Sequence, residues 1–222
     1  TYAGSVLVFV RTKHGARALT LKLQSLGHKA VEIHSNLSLG RRRASLNDFK
    51  SKTIYIQPLG DVNTEYMNYL KTSIKEFYGY DCVIKPKLNL TKDILAGSRT
   101  RYEASKILNK FNSNQNTLII TEKDIAYRKS KEFPEWGIFG LGLRPGKTCV
   151  ISTFRLKKNV STQKMLERLN KVALHEIGHN LGLEHCTNDK NCMMTSASGT
   201  VKQVDREKIW FCKKCWKKIK NG

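Results

Sequence analysis

The run His175-Glu-Ile-Gly-His-Asn-Leu-Gly-Leu-Glu-His185 decides how the rest of the chain is read. It closes a long helical pattern that starts at Ser161 and runs to about Leu181. Residues four apart on an α-helix lie about 40° apart around the axis, one turn along, so His175 and His179 can reach one ion. Glu176 sits near both but is offset, a neighbouring group rather than a third ligand. Gly182 tolerates the positive φ that ends a helix and reverses the chain, and that reversal would carry His185 to the same ion. Three neutral imidazoles leave one position for water, which is the arrangement of a catalytic zinc rather than a structural one. The expected chemistry is peptide hydrolysis: zinc acidifies the water, Glu176 accepts its proton as general base, and a peptide carbonyl is attacked.

Four cysteines follow the histidines closely. Cys186 comes directly after His185, then Cys192, and Cys212-Lys-Lys-Cys215 stands near the end. Two pairs separated by 19 residues suit a structural Cys₄ zinc site; the alternative is four independent buried or oxidised thiols. Two zinc ions are therefore expected, one catalytic and one structural. Cys82 and Cys149 fall in apolar strand patterns and read as small buried side chains.

Working back from the helix, Thr148 to Leu156 reads as a strand and Arg144-Pro-Gly-Lys147 as a turn. Trp136 to Leu143, with three glycines, reads as a weak or edge strand. Strands are also expected at Thr53–Leu59, Cys82–Leu90 and Leu118–Thr121, with helices at Thr64–Tyr78 and near Arg99–Phe111. This alternation gives a sheet domain of the α/β (α+β) class over residues 53–222. Residues 1–52 form a separate pattern: strand Ser5–Arg11, helix Gly15–Leu26, strand Lys29–His34, helix Leu39–Phe49. Two parallel strands cannot bury both faces alone, so this β-α-β-α segment is not expected to be a domain by itself.

The 222 residues carry 40 Lys and Arg against 18 Asp and Glu, a net charge of +22. Such a surface favours polyanions or acidic partners. No apolar run approaches the roughly 18 residues of a membrane span, and Thr-Tyr-Ala-Gly-Ser at the start has no basic n-region of a signal peptide. Six cysteines without an export signal point to metal chemistry in a cytoplasmic protein.

The extended spacing of histidines and glycine resembles the metzincin signature, which also expects a methionine turn downstream. With Cys186 after the third histidine, Cys192-Met193-Met194 and a CxxC 17 residues beyond Met194, the chain resembles the archaemetzincins over most of residues 53–222. IYIQPLGD and IFGLGLRPG…CVISTFRL add to the likeness. One departure is that five residues, where four are expected, separate Cys186 from Cys192. The resemblance implies a mixed twisted sheet with the active-site helix beneath it and a small zinc-bound C-terminal lobe. It also implies Met194 as the turn methionine, and an edge strand at Trp136–Leu143 that takes an extended peptide or protein substrate. No tyrosine follows Met194, so the oxyanion-steadying tyrosine of some metzincins is missing.

LVFVRTK (Leu7 to Lys13) and IHSNLSLGRRRASLNDFK (Ile33 to Lys50) resemble the second RecA-like domain of a DEAD-box RNA helicase. The motifs that hold nucleotide and magnesium are missing, so helicase activity is not expected; residues 1–52 are read as a non-functional fragment. A competing function is a non-enzymatic, zinc-stabilised nucleic-acid-binding protein, motivated by the charge and by Lys213–Lys220 (KKCWKKIK), where Trp216 stands among five lysines. That reading gives Glu176 and His185 no task.

Overall fold

The computed structural model describes residues 8–26, 28, 30–42, 53–197 and 199–221. The chain divides into two compact units, Thr1–Lys52 and Thr53–Gly222. In the first, helix α1 (Lys13–Ser25) is capped by the Thr12 hydroxyl, which accepts from the Gly15 N–H. Residues 39–42 are helical, and the rest of the expected Leu39–Phe49 helix lies outside the described residues. Residues 8–11 and 30–34 form no strand, in contrast to the sequence reading, while residues 5–7 and 29 of the two expected strands lie outside the described residues. Strand candidates without neighbouring strands have no ladder to complete, and Val8, Phe9 and Val31 are left exposed.

The second unit is built on a five-stranded sheet of order β2-β1-β4-β8-β7. Its strands are β1 (Thr53–Pro58), β2 (Asp81–Ile84), β4 (Thr117–Thr121), β7 (Gly140–Gly142) and β8 (Thr148–Ser152). The first four in spatial order are parallel, and β7 joins β8 antiparallel at the edge. Both faces are covered, so the central strands are apolar at nearly every position. Leu118, Ile120, Cys149 and Ile151 face one core together with Ile54 and Ile56. Ile119 and Val150 face the other. The period-two alternation of strand side chains assigns them.

Helices α2 (Thr64–Tyr78) and α4 (Thr162–Asn180) pack into the first core, and α3 (Ala104–Lys110) into the second. Asn63 caps α2 through its side chain, and Gly79 ends it in the left-handed region at φ 71°. The β2 strand stops at Ile84, short of the expected Leu90, because Pro86 has no N–H to continue a ladder. Beyond it the chain makes only an isolated bridge, Leu59 to Leu88.

The expected strand Trp136–Leu143 is two strands in two sheets. Strand β6 (Trp136–Ile138) pairs with β5 (Ile125–Tyr127) in a small sheet that also holds β3 (Tyr102–Glu103), while β7 pairs with β8. The predicted helix near Arg99–Phe111 is shortened to α3 because Tyr102–Glu103 is drawn into that sheet.

The C-terminal lobe holds α5 (Val201–Arg206) and α6 (Lys213–Asn221). Arg168 of α4 makes a two-pronged ion pair with Asp205 of α5, at 2.8 and 2.6 Å. Phe211 is fully buried against Phe77 and Trp216. Trp216 stacks on Phe77 at 5.3 Å, so its ring serves the core.

Glu207 is almost wholly buried, and burial pushes its carboxyl up to about 7, against the pull of the Gln203 amide and the Lys171 charge. The folded state therefore holds a proton on Glu207 that the unfolded chain releases nearer 4.5. The stability from that proton is complete below 4.5 and is lost as pH rises through 7. Glu207→Gln is expected to melt with the parent chain at pH 4.5 and about 5 °C above it at pH 8; thermal unfolding at the two pH values checks this.

Candidate metal centre

Helix α4 supplies two of the three histidines, and its ending supplies the third. Ser161 caps the start by accepting from the Lys164 N–H. At the far end the Gly182 N–H donates to His179 O (2.8 Å) and the Leu183 N–H to Gly178 O (3.0 Å), with Gly182 at φ 90°. That pair of bonds is the Schellman ending of a helix, and a left-handed glycine is its requirement. The reversal brings His185 back beside His175 and His179. The ring centroids lie 4.7, 4.8 and 5.4 Å apart, and one donor nitrogen from each ring falls within 4.8 Å of the others.

The rings are oriented by the main chain. His175 Nδ1 lies 2.6 Å from Met193 O, and His179 Nδ1 lies 2.7 Å from Leu183 O. A carbonyl only accepts, so each Nδ1 carries the proton and each Nε2 keeps a lone pair. Burial, with the neighbouring imidazole His179 adding to it, holds His175 down to about 3; burial likewise lowers His179 to about 4. Both rings are therefore neutral donors at pH 7.

Glu176 is buried against the sheet edge. A beta carbon added to Gly140 would fall 2.7 Å from the Glu176 side chain, and one added to Gly142 would fall 2.8 Å from the Glu176 backbone oxygen. The two glycines of β7 thus let the strand lie directly on the carboxyl. Burial raises Glu176 to about 8, opposed by the Gly142 N–H bonded to it. A nearby cation reverses this, because opposite charge favours the ionised carboxylate. Met194 is fully buried, its sulfur under Gly178, and Met194 O accepts from the Cys186 N–H at 2.7 Å.

The four late cysteines also converge. Their sulfurs are separated by 3.6 Å (Cys212–Cys215), 3.7 Å (Cys186–Cys212) and 3.9 Å (Cys192–Cys215). The edge of a tetrahedron with a metal–sulfur distance of about 2.3 Å is about 3.8 Å, so the spacing fits a thiolate-held zinc and no disulfide joins any of the six cysteines. The additional residue between Cys186 and Cys192 is absorbed in a turn, where Asp189 accepts from the Cys192 and Asn191 N–H groups. Burial works to raise Cys212, yet hydrogen bonds from Cys215, Cys186 and the Lys214 backbone outweigh it and bring the thiol down to about 7.

The family model for peptidase family M54 matches residues 88–221. The archaemetzincin of Archaeoglobus fulgidus is 36% identical over 167 residues, covering 75% of this chain and 98% of that protein. The chain belongs to peptidase family M54. It is an archaemetzincin-family zinc metallopeptidase. The Methanocaldococcus jannaschii archaemetzincin is also 36% identical, over 76% of this chain and 93% of its own length. Among solved structures, the A. fulgidus archaemetzincin complexed with malonate superimposes with a TM-score of 0.67 at 34% identity, over 75% of this chain and 99% of its own. The Methanopyrus kandleri archaemetzincin, at 24% identity and a TM-score of 0.64, shares the fold. None of these matches supports the helicase resemblance of residues 1–52. No helix among the described residues is long and apolar enough to cross a membrane.

The seven histidines and cysteines singled out in the sequence fall in these two clusters, Glu176 follows His175 on α4 and lies against β7, and Met194 lies in the segment between the clusters. Sequence reasoning missed Gly140 and Gly142, whose role is to be small, and the carbonyls of Met193 and Leu183, which any residue would offer. In Gly142→Ala the new methyl would meet a backbone oxygen that cannot swing aside, and the strand must lift from α4. A loss of about 2 kcal/mol is expected, read from the denaturant midpoint.

Proposed function

We propose that this archaemetzincin hydrolyses peptide bonds with His175, His179 and His185 holding a catalytic zinc and Glu176 as general base. Cys186, Cys192, Cys212 and Cys215 hold a second, structural zinc. The observation that carries the reading is the pair of Nδ1–carbonyl bonds at 2.6 and 2.7 Å, which leaves the Nε2 lone pairs free for one ion beside a buried carboxyl. Bound zinc supplies Lewis-acid chemistry, acidifying water and polarising a carbonyl. The protein's own groups do the rest. Glu176, ionised once a cation stands nearby, takes a proton from water and returns it to the departing amine. The side of β7 that no strand among the described residues pairs with offers main-chain donors and acceptors to an extended peptide, which would add as a further strand. Gly140 and Gly142 keep that strand close enough to place the peptide over Glu176. Met194 supports the helix at Gly178, one residue from His179.

Residues 53–222 are the protease domain, and residues 1–52, a separate compact unit, add no activity to it. Glu176→Ala is expected to retain two zinc ions per chain while hydrolysis of a peptide mixture falls by at least about 10³-fold. Metal analysis and mass spectrometry of the products test both halves; retained hydrolysis in the chelator-sensitive fraction would refute the assignment. Cys212→Ser is expected to release one zinc and lower the melting temperature. Removing residues 1–52 is expected to leave zinc content unchanged.

A further inference from the structure

One rim of the cleft carries two cations that the proposed chemistry does not use. Arg144 lies two residues beyond β7, in a turn fastened to the end of α4. The Gly146 N–H donates to Asn180 O at 3.1 Å, and the Asn180 amide, once turned so that its nitrogen faces these carbonyls, reaches Leu143 O at 3.0 Å and Thr148 O at 3.1 Å. Asn180 directly follows His179, so the turn and the histidines share one rigid support. Lys218 of α6 approaches from the other side. Glu184, the neighbour of His185, stands between them, 4.0 Å from Arg144 and 3.8 Å from Lys218.

These contacts are too long for hydrogen bonds. All three side chains are about half exposed or more (46% for Arg144, 51% for Lys218, 63% for Glu184). Exposed pairs of this kind contribute about 0–1 kcal/mol. Among the described residues neither cation has another ion pair, so one carboxylate is shared loosely by two cations and the rim keeps a net charge of +1. Residues 53–222 carry 30 Lys and Arg against 16 Asp and Glu, or +14, which draws acidic polypeptides toward the cleft. A guanidinium bonded in two prongs to a carboxylate is stronger and more directional than the contact it now has.

We propose that Arg144 and Lys218 select substrates with an acidic side chain close to the scissile bond, binding that carboxylate in place of Glu184. The inference rests on the peptidase reading and names the substrate class of the same cleft.

The test uses the full zinc-loaded chain and matched fluorogenic peptides that differ only in Glu against Gln. The expected kcat/KM ratio is about tenfold in favour of Glu at low salt, shrinking as sodium chloride is raised. In the double variant Arg144→Gln, Lys218→Gln the ratio falls below about twofold. In Glu184→Gln, which removes the competing carboxylate, the ratio widens; a merely structural role for these residues would not move it in opposite directions. A parent chain without a Glu preference, or a preference that survives the double variant, overturns the proposal. Should no peptide be cleaved, the peptidase reading fails, and calorimetric binding of the same peptides to Glu176→Gln decides the rim. Salt-sensitive Glu-peptide binding that needs Arg144 and Lys218 upholds it, and its lack overturns it. A single-stranded oligonucleotide that binds these two residues more tightly than the Glu peptide also overturns it.

Discussion

Two imidazole N–H groups held by main-chain carbonyls order the whole cleft. A histidine has two chemically different nitrogens, and whichever one gives its proton to a fixed acceptor leaves the other as a donor in a fixed direction. Met193 O and Leu183 O are those acceptors. Both belong to segments placed by other forces: Leu183 by the Schellman ending at Gly182, and Met193 by the N–H it donates to Trp210 O. The imidazole directions are thus inherited from a helix ending and from a loop seated on the aromatic cluster of Phe77, Phe211 and Trp216.

The electrostatics of the two clusters have a common logic. In both, burial favours neutral groups: it holds imidazoles down and a carboxyl and the Cys192 and Cys215 thiols up, with Cys212 drawn the other way by its hydrogen bonds. A divalent ion inverts those preferences locally. The donor sets are also chemically distinct. Nitrogen donors beside a cleft leave room for solvent, while four sulfurs, three of them buried, close a tetrahedron. The sequence order places Cys186 directly after His185, so one short segment contributes to both.

Legibility from the sequence followed the range of the forces involved. The α4 helix, its Ser161 cap and its Gly182 stop were readable because caps and breakers act within a few residues. The buried strands β1, β4 and β8 were readable because their apolar runs exceed what a loop contains. Splitting of residues 136–142 into β6 and β7 was not readable, since Gly137, Gly140 and Gly142 carry no side-chain pattern and the Arg155 guanidinium packed over Gly137 comes from beyond β8, outside the strand's own pattern. The C-terminal helices were also missed. They span six and nine residues, too short for periodicity, and they owe their order to distant partners: Arg168 is 37 residues from Asp205, and Phe77 is farther still from Phe211 and Trp216. In residues 1–52 the local pattern promised strands, but a strand is completed by neighbours and not by its own residues.

Among the described residues the sheet ends at β7, and an unpaired margin that can accept a passing peptide can equally recruit another copy of the protein. The chain restrains that hazard by making the margin poor as a template. It is three residues long, two of them glycine, and three residues beyond it stands Pro145, which cannot extend a ladder. Such a border holds a guest only where something else, here the chemistry beneath it, adds to the grip. Self-association through this margin is thereby disfavoured without closing it to its guests.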